Sequence, residues 1–385
     1  MLPLCVPNIS GNEGKYLAEC VSSTFVSSVG PFVDRFEAET RHATGAAWAV
    51  ATSAGTTALH AALHFLGVGP GDHVIIPSLS FIATANAVAH CHATPIIIDV
   101  DVARWGLDAG LLAELLGRNC HRDSEGALRY TPTGGQIKAI MPVYAMGLPA
   151  DMDSIIEVAR RYNVPTVSDA AAAIGATYKG RQLAQMGADL TALSFNGNKL
   201  ITSGGGGALI SAAEQGGREI KHLTSTARVG GAYDHDIVGF NYRMTNLQAA
   251  VGVAQLERLA EFLDAKARIA ARYAQSFEDL TGTLNFPSVD DTCGSHWLSG
   301  VYLPQATREQ MDHLRQTLVA SGIEARSFWK PLHMQAPYLK CPRMVNGHAE
   351  MIWGNVQPLP CSTHLTCAEQ THVIEVVRSA IEKMS

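Results

Sequence analysis

The sequence predicts an α/β fold: a large domain built on a mostly parallel seven-stranded sheet with helices on both faces, then a smaller C-terminal α+β domain. Three observations predict it. Short β-rich runs alternate with longer helical ones from about residue 48 to residue 211. Several of those runs are continuously apolar, as strands covered on both faces are. After Pro287 the alternation stops and the texture turns rich in Pro, His and Cys.

The candidate strands are Trp48–Thr52, His73–Pro77, Pro95–Asp99, Ile137–Val143, Pro165–Asp169, Leu190–Phe195 and Ala208–Ser211. A helix follows Gly55, because Leu59, Ala62, Leu63 and Leu66 fall on one stripe at helical spacing. Another runs from about Met152 to Tyr162. The polar, turn-rich stretch Arg118–Gln136 reads as a surface hairpin inserted before the strand at Ile137. From Asn246 to about Phe277, Leu247, Val251, Leu256, Leu259, Leu263 and Ile269 recur on a chain without proline, which predicts one long helix. Trp297–Leu303 reads as a strand, Arg308–Ser321 as a helix, and a last helix closes the chain. The expected division is a large domain over 1–245, a connecting helix over 246–284 and a small domain over 285–385.

Composition narrows the function. With 385 residues, 47% hydrophobic and 17% charged, the chain has ample material for a core. The 29 basic and 35 acidic residues give a net charge of −6 with no basic half, which argues against nucleic acid or a polybasic membrane patch as partner. Apolar runs are broken well before the roughly 20 residues a membrane span needs. The stretch MLPLCVPNIS has no charged leader, so no signal peptide is expected. Eight cysteines without a CxxC pair read as reduced, which fits a cytoplasmic protein. His60 and His64 are spaced to bind metal but have no Glu between them as in HExxH, so no metal is expected.

Four features fall where the carboxyl ends of strands in such a sheet would lie. Thr52-Ser53-Ala54-Gly55-Thr56-Thr57 joins a strand to a helix with small residues, a setting in which backbone N–H groups and a helix N-terminus can hold a phosphate. Asp169 ends a strand and is followed by Ala170, Ala171 and Ala172, where a carboxylate could pair with a cationic ring nitrogen or simply cap a helix. Lys199 follows a core strand in the Gly- and Asn-rich stretch Ser194-Phe195-Asn196-Gly197-Asn198-Lys199, where desolvation would free its amine as a nucleophile. Phe81 follows another strand and could stack on a flat ring or belong to the core.

Together the four resemble the pyridoxal phosphate site of fold-type I transferases. The wording AGTTALHAAL, GPGDHVIIPSLSFIATANAV, SDAAAAIGATYKGR, LSFNGNKLITSGGGG and GFNYRMTNLQAAVGVAQLE resembles the DegT/StrS-type nucleotide-sugar aminotransferases over nearly the whole chain. The resemblance implies roles. Lys199 would join the cofactor and then shuttle the proton. Asp169 would hold the ring nitrogen protonated and Phe81 would stack on the ring. Ser194, Gly55 and Thr56 would bind the phosphate. Asn241 would reach the phosphate of the neighbouring subunit, with Arg243 close by, so the resemblance implies a homodimer with shared sites. Ser28 and His333 would lie near the substrate.

One position departs from the family pattern: Ala172 stands where the family has Gln or Glu, which puts a contact to the ring oxygen in doubt. The lysine position holds Lys199 and not the His of related sugar dehydratases, so transamination is the implied reaction. A cofactor-binding regulator is the alternative, and an intact Lys199, Asp169 and Phe81 count against it. The start of the chain, the insertion before Ile137 and SFNGNKLITSGGGG resemble the LegC-like branch. That likeness implies amination of a keto-deoxysugar, such as C4 of UDP-2-acetamido-2,6-dideoxy-hex-4-ulose, with L-glutamate as donor, for surface-glycan sugars; another keto-sugar, with or without a nucleotide, is the alternative, because related branches share these motifs.

Overall fold

The computed structural model describes residues 1–231, 233–280 and 284–384. The end of the 246–284 stretch, and Ala232 in the loop that precedes Asn241, lie outside the described residues. All seven expected strands form. They are β1 (Trp48–Thr52), β2 (His73–Pro77), β3 (Thr94–Ile98), β4 (Ile137–Ile140), β5 (Val167–Asp169), β6 (Leu190–Ser194) and β7 (Gly207–Ser211). Two four-stranded ladders meet through the parallel bridges Ile140–Thr166 and Val143–Asp169. The spatial order is β1, β7, β6, β5, β4, β2, β3, and an eighth strand, β8 (Arg343–Met344), continues beside β3. Only β7 runs against the others.

Strands such as β2 are apolar on both faces because each face meets a separate core. Within β2, Ile75 packs with Phe36, Ile96, Leu112 and Val253, whereas Val74 and Ile76 pack with Leu59, Val88 and Leu209 on the opposite side. The helices Gly55–Phe65 and Ala83–His90 cover the second face. Pro31–Thr44, Ala109–Asn119 and Met152–Arg161 cover the first. Cys120–Arg122 and Leu128–Tyr130 pair as an antiparallel hairpin inside the polar insertion. The C-terminal part forms an antiparallel sheet of Leu284–Asn285, Ser299–Tyr302 and Val356–Leu359, packed with the helices Arg308–Ala320 and Cys367–Glu382.

Two expectations change. The long helix after Asn246 is two helices, Asn246–Leu256 and Leu259–Ser276. Arg258 leaves helical geometry at φ −111° and ψ 11°. Neither Gly nor Pro marks the break, so tertiary contacts make it. Glu257 accepts hydrogen bonds from Tyr16, Asn12 and Arg35, and Arg258 donates to Ser10. The second change is β8, a two-residue strand too short to show a period. Its anchor is Asp99, fully buried, which accepts from the backbone N–H groups of Val100, Asn346, Gly347, His348 and Ala349 at 2.8–3.2 Å. A carboxylate serving five donors fixes the start of the helix His348–Asn355 against the sheet.

Asp99→Ala should lower stability by about 3 kcal/mol, because several charge-assisted hydrogen bonds are lost and buried N–H groups are left unpaired. Urea unfolding of both chains measures it; an unchanged midpoint would show that β8 is held by packing alone.

Candidate active site

The carboxyl ends of β1, β2, β5 and β6 lie along one edge of the sheet, and a cavity of about 370 Å³ opens there. Lys199, Asp169, Phe81, Ser194, Gly55 and Thr56 all line it, although they are scattered along the sequence from Gly55 to Lys199. Ala172 lines it too, with a methyl group in place of the family's amide or acid.

The turn after β1 gives the cavity an anion site. The helix Gly55–Phe65 starts there without a side-chain cap on its first N–H groups, and Thr57 Oγ1 instead accepts from the Ala54 N–H at 3.0 Å. Ala54 is the residue that precedes the helix. Gly55 is required by close approach, since a Cβ there would lie 2.8 Å from Cβ of Ser194. That contact brings the helix start against the end of β6.

Asp169 is buried at the end of β5 and accepts from Thr84 Oγ1 at 2.6 Å and from the Ala171 N–H at 3.2 Å. Thr84 is in turn hydrogen-bonded to Ser80 at 2.5 Å. Burial pushes the Asp169 carboxyl above its ordinary range, against the pull of Thr84, the Ala171 N–H and Lys199. A carboxylate desolvated in this way is short of a cation, and a protonated ring nitrogen would supply one.

Lys199 sits in the loop after β6, whose return to β7 passes through Gly206 at φ 121°. A Cβ on Gly206 would come within 2.6 Å of Met244. Burial lowers the Lys199 amine to about 8, with Asp169 opposing the shift. Its Nζ lies 3.7 Å from the ring centroid of Trp297. Phe81 is 58% exposed and lines the cavity, which excludes a core role. The residues present therefore fit pyridoxal phosphate: an uncapped helix N-terminus, a carboxylate short of a cation, an open aromatic face and an activated amine around a space of suitable volume.

The remaining expected residues stand apart. Ser28, Asn241, Arg243 and His333 do not line the cavity of their own chain. Asn241 is exposed and pairs by backbone with Ser225, while Arg243 is half-buried and bridges Thr52 by backbone. His333 is buried between Ser78 Oγ at 2.6 Å and Glu350 Oε1 at 2.9 Å, where it ties the C-terminal part to the loop that carries Phe81. Trp297, Trp329, Tyr144 and Thr84 belong to the site without having been picked out from sequence. Thr84 had a local signal, four residues after Ser80 on a helical start. The tryptophans had none, being roughly 100 and 130 residues beyond Lys199.

A lysine, a buried carboxylate, an aromatic face and an anion cradle at the carboxyl edge of this sheet define a pyridoxal-phosphate-dependent transferase of fold type I. The family model for the DegT/DnrJ/EryC1/StrS aminotransferases matches residues 7–378. The GDP-perosamine synthase of Caulobacter vibrioides is 41% identical over 340 residues, covering 88% of this chain and 86% of that protein. The UDP-N-acetyl-3-dehydro-alpha-D-glucosamine 3-aminotransferase of Acidithiobacillus ferrooxidans is 31% identical, covering 90% and 87%. The crystal structure of the aminotransferase TlmJ from Streptoalloteichus hindustanus superposes with a TM-score of 0.89 at 27% identity, over 100% of this chain and 99% of that one. The chain belongs to the DegT/DnrJ/EryC1/StrS aminotransferase family. It is a sugar aminotransferase and depends on pyridoxal phosphate. Among the described residues no helix is long and apolar enough to cross a membrane.

Cofactor capture by the cofactor-free chain should accelerate through a midpoint near pH 8, because the amine attacks only when unprotonated. Visible absorbance against pH measures it. A midpoint near the ordinary lysine value of about 10.4 would show a solvated amine, and Lys199→Ala should show no such capture.

Proposed function

We propose that the protein moves the amino group of L-glutamate to the keto carbon, at C4, of a nucleotide-linked keto-deoxysugar for a surface glycan, in the cytoplasm. GDP is the nucleotide favoured. The observation that carries this reading is the convergence of Lys199 and Asp169 on one cavity, in a chain 41% identical to a GDP-perosamine synthase. Synthases of that name from Escherichia coli O157:H7 and Vibrio cholerae are 33% and 34% identical. A UDP-linked N-acetyl amino sugar, expected from the LegC-like wording, is the second reading, and the name of the Acidithiobacillus relative favours that nucleotide.

In this reading the chain's own groups do four things. The first turn of the helix Gly55–Phe65, with Thr56 and Ser194, binds the phosphate. Asp169, steadied by Thr84, keeps a proton on the ring nitrogen. Phe81 covers one side of the cavity, and the buried Trp297 together with Trp329 excludes water from it. Lys199, whose amine is partly unprotonated near neutral pH, takes a proton from the carbon beside the nitrogen and returns it elsewhere. Bound pyridoxal phosphate supplies the electron sink that makes this carbon acidic.

The proposed unit is a homodimer. Val21, Phe25, Val26 and Val29, together with Ile237 and Val238, are large apolar side chains left exposed near Asn241 and Ser28 in sequence. Arg243, among the described residues, has no hydrogen bond or ion pair through its side chain. Both observations support a second copy covering this face and receiving Asn241 and Arg243 into its site.

Two outcomes test the proposal. Keto-sugar nucleotides carrying GDP, UDP, CDP or dTDP, each offered with L-glutamate, should yield 2-oxoglutarate and an amino sugar for the GDP-linked 4-keto compound. A product only from a UDP-linked sugar would favour the second reading, and none from any would refute both. Separately, mixing an inactive Lys199→Ala chain with an inactive Asn241→Ala/Arg243→Ala chain should restore part of the activity, since one site per mixed dimer is then intact. No recovery after verified subunit exchange would remove Asn241 and Arg243 from the partner's site.

A further inference from the structure

Lys199 cannot hold the cofactor and carry a proton at once, so each half-reaction includes a stage in which its amine is free. Its surroundings then decide where that amine rests. Among the described residues the Lys199 side chain has no hydrogen bond and no ion pair. What it has is an indole face, with Nζ 3.7 Å from the ring centroid of Trp297. A cation over an aromatic ring is attracted by the ring quadrupole, more strongly where water is excluded, and Trp297 is buried.

Trp297 is held at both ends. Its Nε1 donates to the carbonyl of Asn198 at 2.6 Å, the residue before Lys199, so ring and lysine share one backbone anchor. Its own carbonyl accepts from Lys266 Nζ at 2.8 Å. Lys266 is buried and, among the described residues, pairs with no carboxylate. Its other neighbours are Cys361 Sγ at 3.3 Å and Cys5 Sγ at 3.5 Å. Hydrogen bonding from Cys5, and then the charge of Lys266, pull the Cys361 thiol below its ordinary value despite its burial. Cys361 Sγ also lies 3.5 Å from the Trp297 carbonyl, so Lys266 and Cys361 meet on the same backbone group. Three distant parts of the chain, Cys5, Lys266 and Cys361, meet to hold one ring beneath one amine.

We propose that Trp297 is a positioning residue for the transamination: its indole face parks the free amine of Lys199 as an ammonium, and the Lys266–Cys361 pair keeps that face in place. The proposal rests on the role of Lys199 in a pyridoxal-phosphate-dependent aminotransferase, not on the identity of the sugar.

The test uses the full-length, cofactor-free chain as well as the loaded enzyme. Tracer acetylation with acetic anhydride, read by mass spectrometry at the Lys199 peptide across pH, gives the midpoint of the amine. Trp297→Met fills much of the same volume without a ring, so the ammonium loses its support and the midpoint should fall by about one pH unit. Trp297→Phe, with a weaker quadrupole, should show a smaller fall in the same direction, and it decides the matter if the Met chain does not fold. In turnover, kcat should drop while KM for the keto-sugar nucleotide stays. Midpoints equal to that of the natural chain would overturn the proposal. A raised KM with kcat and midpoint unchanged would also overturn it, by making the ring a wall for the sugar. The labelling arm is independent of which sugar is accepted, so its failure is separable from failure of the substrate reading.

Discussion

Charge held out of water at the carboxyl edge of the sheet is the constraint on which the site depends. Lys199 and Asp169 both lie where burial penalises their charged forms, and it shifts one down and the other up. Neither shift would survive in an open loop. The edge can impose it because the sheet is sealed on both faces and because C-terminal residues close the opening, Trp297 and Trp329 directly and His333 through its contact with Ser78. The amine becomes usable near neutral pH, and the carboxylate is left in need of a cation, from one cause.

Much of this was legible in the sequence. The strands were readable because both faces of the sheet are buried, which turns several of them into apolar runs such as Val74-Ile75-Ile76. The cavity residues Lys199, Asp169, Phe81, Ser194, Gly55 and Thr56 were readable because each sits within a few residues of a strand end, so strand placement alone brought them to one edge.

What escaped the sequence was set by contacts between distant segments. The break at Glu257–Arg258 comes from Tyr16, Asn12, Arg35 and Ser10, in a stretch whose own residues favour an unbroken helix. The strand Arg343–Met344 has no pattern of its own and exists because Asp99 gathers the turn after it. Trp297 is an ordinary buried aromatic by local pattern, and only the fold sets it under Lys199. His333 was read toward the substrate on family likeness, and its position behind the cavity wall depends on Ser78 and Glu350, 255 and 17 residues away.

The pairing of chain ends has a bearing on synthesis. Leu2 forms a parallel bridge with Ile323, the Leu2 N–H reaches the carbonyl of Gly322, and the Cys361 N–H reaches the carbonyl of Leu4. In the large sheet, the outer edge of β3 is covered only when Arg343–Met344 arrives. A chain emerging from the ribosome at about 5–20 residues per second thus leaves Leu2 and Leu4 unpaired until Ile323 and Cys361 have been made, and the edge of β3 open until Met344 has. The central strands can assemble during translation, and until Arg343–Met344 arrives the outer edge of β3 stays open to mispairing with another nascent chain.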